Sequence, residues 1–122
     1  MHPPVLIVED VEEIRLYLQH LMSQLGFTHV DTAKDGRQAS ELFNSNAYRL
    51  VLLDIELPDI NGKTLLEQYK LKVPDLSVII CSSHNTVENV KNTWDMGANG
   101  FLAKPVDLSK LQNLLIRLGF EL

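Results

Sequence analysis

Apolar residues in this chain gather in short blocks, separated by stretches in which they recur every three or four positions. The blocks VLIV (Val5–Val8), LVLL (Leu50–Leu53) and VIIC (residues 78–81) are apolar throughout rather than alternating. That is the pattern of central strands covered on both faces. Shorter, more mixed runs predict two further strands, over residues 29–33 and Gly100–Ala103. Helical spacing fills the intervals. Residues 11–25 carry Ile14, Leu18, Leu21 and Leu25 on one stripe, with Glu12 and Glu13 in the first turn and Gly26 as the stop. Residues 36–45 carry Ala39, Leu42 and Phe43, and residues 63–71 carry Leu65, Leu66 and Tyr69, ending before Pro74. A fourth helix is predicted over 86–97, up to a glycine stop. A fifth covers 107–118, with Asp107 as N-cap and Leu108, Leu111, Leu115 and Leu118 along one face.

Regular alternation of strand and helix with short links implies a parallel sheet with right-handed crossovers. Five such units make an open, doubly wound α/β sheet, whose function gathers at the carboxyl ends of the strands. The 122 residues suit one domain, 1–122, with no linker, repeat or low-complexity segment. A net charge of −5 argues against a direct nucleic-acid partner. No apolar run is long enough for a bilayer span, and the start MHPPVLIVED lacks the basic-then-apolar order of a secretory signal. The single cysteine, Cys81, has no internal disulfide partner and no Cys/His cluster has zinc spacing, so a buried thiol in a reducing cytoplasm is expected.

Chemistry collects where the strands end. Glu9 and Asp10 follow the first strand and Asp54 the third. Singly, each carboxylate has an ordinary explanation; Asp10, for example, can cap the helix that starts near Val11. Together, three unpaired negative charges at one sheet edge call for a compensating partner, and a hard divalent cation held by oxygens is the natural one. Ser82 and Ser83 end the fourth strand, and Lys104-Pro105 the fifth. Hydroxyls and lysines are common on loops, yet a hydroxyl and an ammonium at neighbouring strand ends also complete a phosphate site.

The set Glu9-Asp10, Asp54 with Pro58 and Gly62, Ser82, and Lys104-Pro105 resembles the receiver domain of two-component response regulators. AKDG at 33–36 and MGANGF at 96–101 agree with it, and the likeness covers essentially the whole chain. The resemblance implies a flavodoxin-like sheet in the order 2-1-3-4-5 with five helices, as in chemotaxis regulators. It implies a phosphoacceptor switch rather than an enzyme acting on a separate substrate. Asp54 would take a phosphoryl group from a histidine kinase or a histidine phosphotransfer domain. Glu9, Asp10, Asp54 and the Glu56 backbone carbonyl would hold Mg²⁺, while Ser82 and Lys104 would bond phosphoryl oxygens. Glu9 stands where the family often has aspartate, and Ser82 where threonine is frequent.

The same resemblance makes Ser82 and Phe101 a switch pair, in which the hydroxyl moves toward the phosphoryl group and the aromatic ring turns inward. Phe101 lacks the hydroxyl that holds a tyrosine outward, and as an ordinary core residue it needs no such role. Glu56 and His84 match positions that tune autodephosphorylation, although His84 reads first as a solvent-facing loop residue. Val87, Val90 and Trp94 form a stripe on the fourth helix. That stripe is either core or, with Phe101, a partner surface on the face of the fourth helix, fifth strand and fifth helix, where an aromatic makes a good anchor. Such a face allows an effector, an output domain or a phosphorylation-dependent dimer. The chain reaches Leu122 without a recognisable output segment, which suits a free-standing regulator, a relay shuttle or an excised receiver alike. A haloacid-dehalogenase-type phosphatase fits less well. It needs an aspartate two residues after its nucleophile, where this chain has Glu56, and it has no use for Glu9-Asp10 on the first strand. A P-loop nucleotide switch lacks its glycine-lysine motif here.

Overall fold

The computed structural model describes residues 2–122. Strands β1 (Val5–Val8), β2 (Val30–Ala33), β3 (Leu50–Leu53), β4 (Ser77–Ser82) and β5 (Gly100–Ala103) alternate with five helices. These are α1 (Glu12–Gln24), α2 (Gly36–Ser45), α3 (Gly62–Lys72), α4 (Val87–Asp95) and α5 (Leu108–Arg117). The strands pair in parallel in the order β2-β1-β3-β4-β5, the flavodoxin-like order. The chain leaves β1 toward β2 on one side and returns to β3 on the other. That reversal opens a crevice at the carboxyl ends of β1 and β3.

Successive residues of a strand point to opposite faces, so the sheet carries two cores. Leu6, Val8, Val51, Leu53, Val78 and Ile80 meet Ala39, Phe43, Leu65, Leu66 and Tyr69 of α2 and α3. Val5, Ile7, Leu50, Leu52, Ile79 and Cys81 meet Leu18, Leu21, Met22, Leu111 and Leu115 of α1 and α5. Each such aliphatic side chain contributes roughly 1.5–3 kcal/mol by burial. Phe43 and Tyr69 stack with centroids 4.0 Å apart, and the Tyr69 hydroxyl hydrogen-bonds Ser40 Oγ at 3.0 Å.

β1, β3, β5 and α2 have the expected bounds, and the ends of the other elements differ from the sequence expectation by one or two residues; side-chain caps mark the start of four helices. Asp107 accepts from the Lys110 N–H, Asp35 from Gln38, Asn61 from Lys63 and Thr86 from Asn89. The left-handed glycines Gly26 (φ 95°) and Gly97 (φ 101°) follow α1 and α4. Asp10 is not a cap. Val11 holds the cap position of α1 and donates its N–H to Glu9 Oε2 at 3.1 Å.

The core reading of the α4 stripe is overturned. Val87, Val90 and Trp94 are 85%, 39% and 66% exposed. Thr93 is the one buried residue of α4, and its hydroxyl is within hydrogen-bonding distance of the Asn89 and Val90 carbonyls. Helix α4 thus rests on its polar side and turns its apolar stripe outward. Among the described residues, no helix is long and apolar enough to cross a membrane.

Candidate functional site

In-register pairing of Val8 with Leu53 sends the chain out of β1 and β3 side by side. Glu9 and Asp10 follow the first; Asp54 follows the second, its N–H bonded to the Val8 carbonyl at 3.0 Å. One carboxylate oxygen from each of Glu9, Asp10 and Asp54 lies within 4.8 Å of the others. Glu9 and Asp54 are buried and Asp10 is exposed. Lys104 follows β5, its N–H bonded to the Ser82 carbonyl at 3.0 Å and its peptide bond to Pro105 cis. Its ammonium reaches over β4 to form ion pairs with Glu9 Oε1 and with Asp54 Oδ2, the latter at 3.3 Å.

Two of the three carboxylates expected to be unpaired therefore share one lysine. The compensation is incomplete. Burial pushes the Glu9 and Asp54 carboxyls above the usual range, and Lys104 pulls both back without cancelling the shift. For Lys104, burial alone would lower the ammonium, but Glu9 and Asp54 outweigh it and hold it above its ordinary value. Three carboxylates against one ammonium leave a formal charge of −2. Among the described residues, buried Glu9 Oε1 has no hydrogen-bond donor in regular geometry, and Lys104 meets it as an ion pair. Hard oxygen donors with residual negative charge suit Mg²⁺. On the donor set and on that buried oxygen, the residues fit the ion.

Hydroxyl and amide groups frame the cluster. The Glu56 N–H donates to Asp54 Oδ1 at 3.2 Å. Buried Ser82, the last residue of β4, accepts from the His84 N–H at 3.0 Å. The Glu56 carboxylate turns outward to His84 Nδ1 at 2.9 Å, with both side chains more than half exposed. His84 is solvent-facing, as expected, but it is also Glu56's partner. Their matched places, two beyond the aspartate and two beyond the hydroxyl, were the available signal. A solvent-open cavity of about 570 Å³ lies over these groups, with Ile14, Tyr17 and Val106 on its apolar side. Phe101 and Trp94 lie apart from it, lining a second hollow of about 380 Å³ with Val90 and Leu114. Phe101 is partly buried against the α2–α3 side of the sheet.

The loop that leaves Asp54 is held at several points. Glu56 and Asn61 form a bridge, and the Gly62 N–H donates to the Ile55 carbonyl at 2.6 Å. A Cβ on Gly62 would collide with the Asp54 carbonyl oxygen, which is why glycine stands there. Leu57 and Ile60 pack on the core. Between them Asp59 accepts from the N–H groups of Gly36 and Arg37, at 2.8 and 2.9 Å. Those bonds, the Gly36 one first, hold its carboxyl below the usual range. Sequence reasoning missed this contact.

Residues 5–116 match the family model of the response regulator receiver domain. A putative NtrX-like response regulator of Rickettsia bellii is 36% identical over 115 residues, covering 93% of this chain and 24% of that protein. The two-component response regulator ARR10 of Arabidopsis thaliana is 36% identical over 112 residues, covering 90% and 20%. The chain thus spans a quarter or less of the length of these relatives. The chemotaxis protein CheY4 of Vibrio cholerae superposes with a TM-score of 0.87 at 23% identity, covering 97% of this chain and 99% of that one, a likeness of fold.

Proposed function

This chain belongs to the response regulator receiver domains, which are phosphoacceptor switches rather than classical enzymes, and we propose that Asp54 is its phosphoacceptor. The observation that carries the reading is the convergence of Asp54, Glu9, Asp10 and Lys104 at one sheet edge. The donor is a phosphohistidine of a sensor kinase or a histidine phosphotransfer domain. An Asp54 carboxylate oxygen attacks phosphorus; a P–O bond forms as the P–N bond breaks, and the electron pair stays on the imidazole nitrogen. The protein's part is alignment and charge stabilisation.

Glu9, Asp10, Asp54 and the Glu56 carbonyl would hold Mg²⁺, which when bound supplies positive charge to the phosphoryl oxygens. Lys104 exchanges its contact with Asp54 Oδ2 for a phosphoryl oxygen. The Ser82 hydroxyl accepts from His84 and retains its own hydrogen to donate to another. Movement of Ser82 and Phe101 carries the change to the α4–β5–α5 face, where exposed Trp94 anchors an effector, an output domain or a second copy. Hydrolysis of the aspartyl phosphate at the same site resets the switch. We read residues 1–122 as one such domain working in the cytoplasm, where Cys81 stays a free thiol.

The test is incubation with Mg²⁺ and acetyl phosphate, followed by intact-mass analysis. A phosphoryl mass gain that Asp54→Asn abolishes supports the assignment. Steady turnover of phosphate esters without a labelled protein would favour a phosphatase. No label and no turnover would leave a scaffold and sink the phosphoacceptor reading.

A further inference from the structure

Asp59 belongs to neither the acidic cluster nor the lysine–hydroxyl pair, yet it ties the loop that leaves Asp54 to the first turn of α2 through two hydrogen bonds of good length. Its two carboxylate oxygens take two separate donors. Oδ1 accepts from the Gly36 N–H at 2.8 Å and Oδ2 from the Arg37 N–H at 2.9 Å. These are first-turn amides of α2, which have no partner within the helix, and a negative charge there is favoured by the helix dipole. The cap residue of α2, Asp35, is already occupied with the Gln38 N–H at 2.8 Å. The two aspartates thus divide the first turn between them, one local and one from a loop more than twenty residues away.

Steric fit makes the same contact close. Gly36 sits against Ile60, and a Cβ on Gly36 would collide with Ile60 Cγ2. Ile60 and Leu57, on either side of Asp59, pack against the α2–α3 core. The loop is therefore seated by two apolar anchors and one ionic anchor. Three residues before Asp59 is Glu56, whose N–H donates to Asp54 Oδ1 at 3.2 Å and whose backbone pairs with Asn61. A 3.2 Å hydrogen bond is at the long end of the normal range, so a small shift of the loop would break it.

We propose that Asp59 is a positioning residue: by holding the Gly36 and Arg37 N–H groups, it seats the 55–61 loop so that the Glu56 N–H stays directed at Asp54 Oδ1. Its effect on Asp54 passes through the backbone of the loop. The functional consequence rests on the phosphoacceptor reading, whereas the positioning itself does not.

Amide hydrogen exchange on Asp59→Ala and Asp59→Asn, read residue by residue by NMR, tests the positioning. In Asp59→Ala, protection at Glu56 and Gly62 should fall on the order of tenfold by local opening, while β1, β3 and β4 amides keep theirs. Asp59→Asn retains one oxygen acceptor and should restore part of the protection. Unchanged exchange at Glu56 in Asp59→Ala, with the Gly36 and Arg37 amides deprotected, would overturn the proposal and leave Asp59 as a helix cap alone. Global deprotection, strands included, would overturn it equally, by making the residue a general stability element. Acetyl phosphate labelling adds a functional arm. Slower labelling of Asp59→Ala than of wild type at unchanged thermal stability supports the role. Failure of wild type to label would count against the phosphoacceptor reading alone, because exchange reads the positioning in either case.

Discussion

His84 Nδ1 lies 2.9 Å from Glu56 Oε1, joining the loop after β3 to the loop after β4 across the mouth of the site. Both side chains are more than half exposed, so the pair contributes little to stability, about 0–1 kcal/mol. What it governs is where the Glu56 carboxylate points. On the phosphoacceptor proposal, replacing His84 by alanine should free that carboxylate to orient water beside a phosphorylated Asp54. The expected outcome is a several-fold shorter lifetime of the labelled protein with an unchanged melting temperature, measured by loss of the phosphoryl mass over time. A lifetime equal to wild type would remove the pair from any role in signal duration.

Asp54 carries a pH signature. Burial raises its folded pKa, so on raising the pH the unfolded chain releases this proton first. Over the carboxylate range the folded state then binds more protons, and this group's contribution to stability falls as pH rises through its folded pKa. Asp54→Asn removes that ionisation. It should melt higher than wild type at neutral pH without divalent cation, with the advantage shrinking as the pH is lowered through the carboxylate range. Thermal melts of both proteins across that range decide it.

The incomplete compensation by Lys104 predicts that Mg²⁺ stabilises the fold. At a concentration one hundred times its dissociation constant, a ligand specific to the folded state adds about 2.7 kcal/mol. Asp10→Asn should fold normally, since Asp10 is exposed, but lose most of that gain. Melting with and without MgCl₂ gives the comparison. Equal gains in the two proteins would exclude Asp10 from the ion's coordination.

Cys81 is wholly buried, and burial pushes its thiol up to about 12, so no reactive thiolate forms in the folded protein at neutral pH. Alkylation should be slow under native conditions and rapid in denaturant, and the rate should follow global unfolding. Fast native labelling would show that β4 opens locally.

The sheet was legible in the chain because β1, β3 and β4 are buried on both faces, and burial on both faces writes an uninterrupted apolar run. Glu9 and Asp54 were legible for a related reason: a carboxylate directly after such a run has one place to emerge, whereas Lys104 follows the more mixed run of β5. The α4 stripe was not. Val87, Val90 and Trp94 have the spacing of a core face, and spacing records that a helix has two sides without recording which side meets the sheet. Thr93, with its hydroxyl satisfied by its own helix, took the buried side.

By itself, then, the sequence determined the element order, a core on both faces of the sheet and the gathering of Glu9, Asp10, Asp54 and Lys104 at the strand ends, since these follow from periodicity and from position along single strands; the choice of Ser82 over Ser83 came from the family resemblance. Only the tertiary structure decided how those groups are paired. Lys104 divides itself between Glu9 and Asp54, Glu56 finds His84, and Asp59 closes on Gly36 and Arg37. Each of those pairings joins segments distant in the chain. A hydrogen bond or an ion pair depends on ångström-scale distances, which the folded packing sets and the residue pattern does not encode.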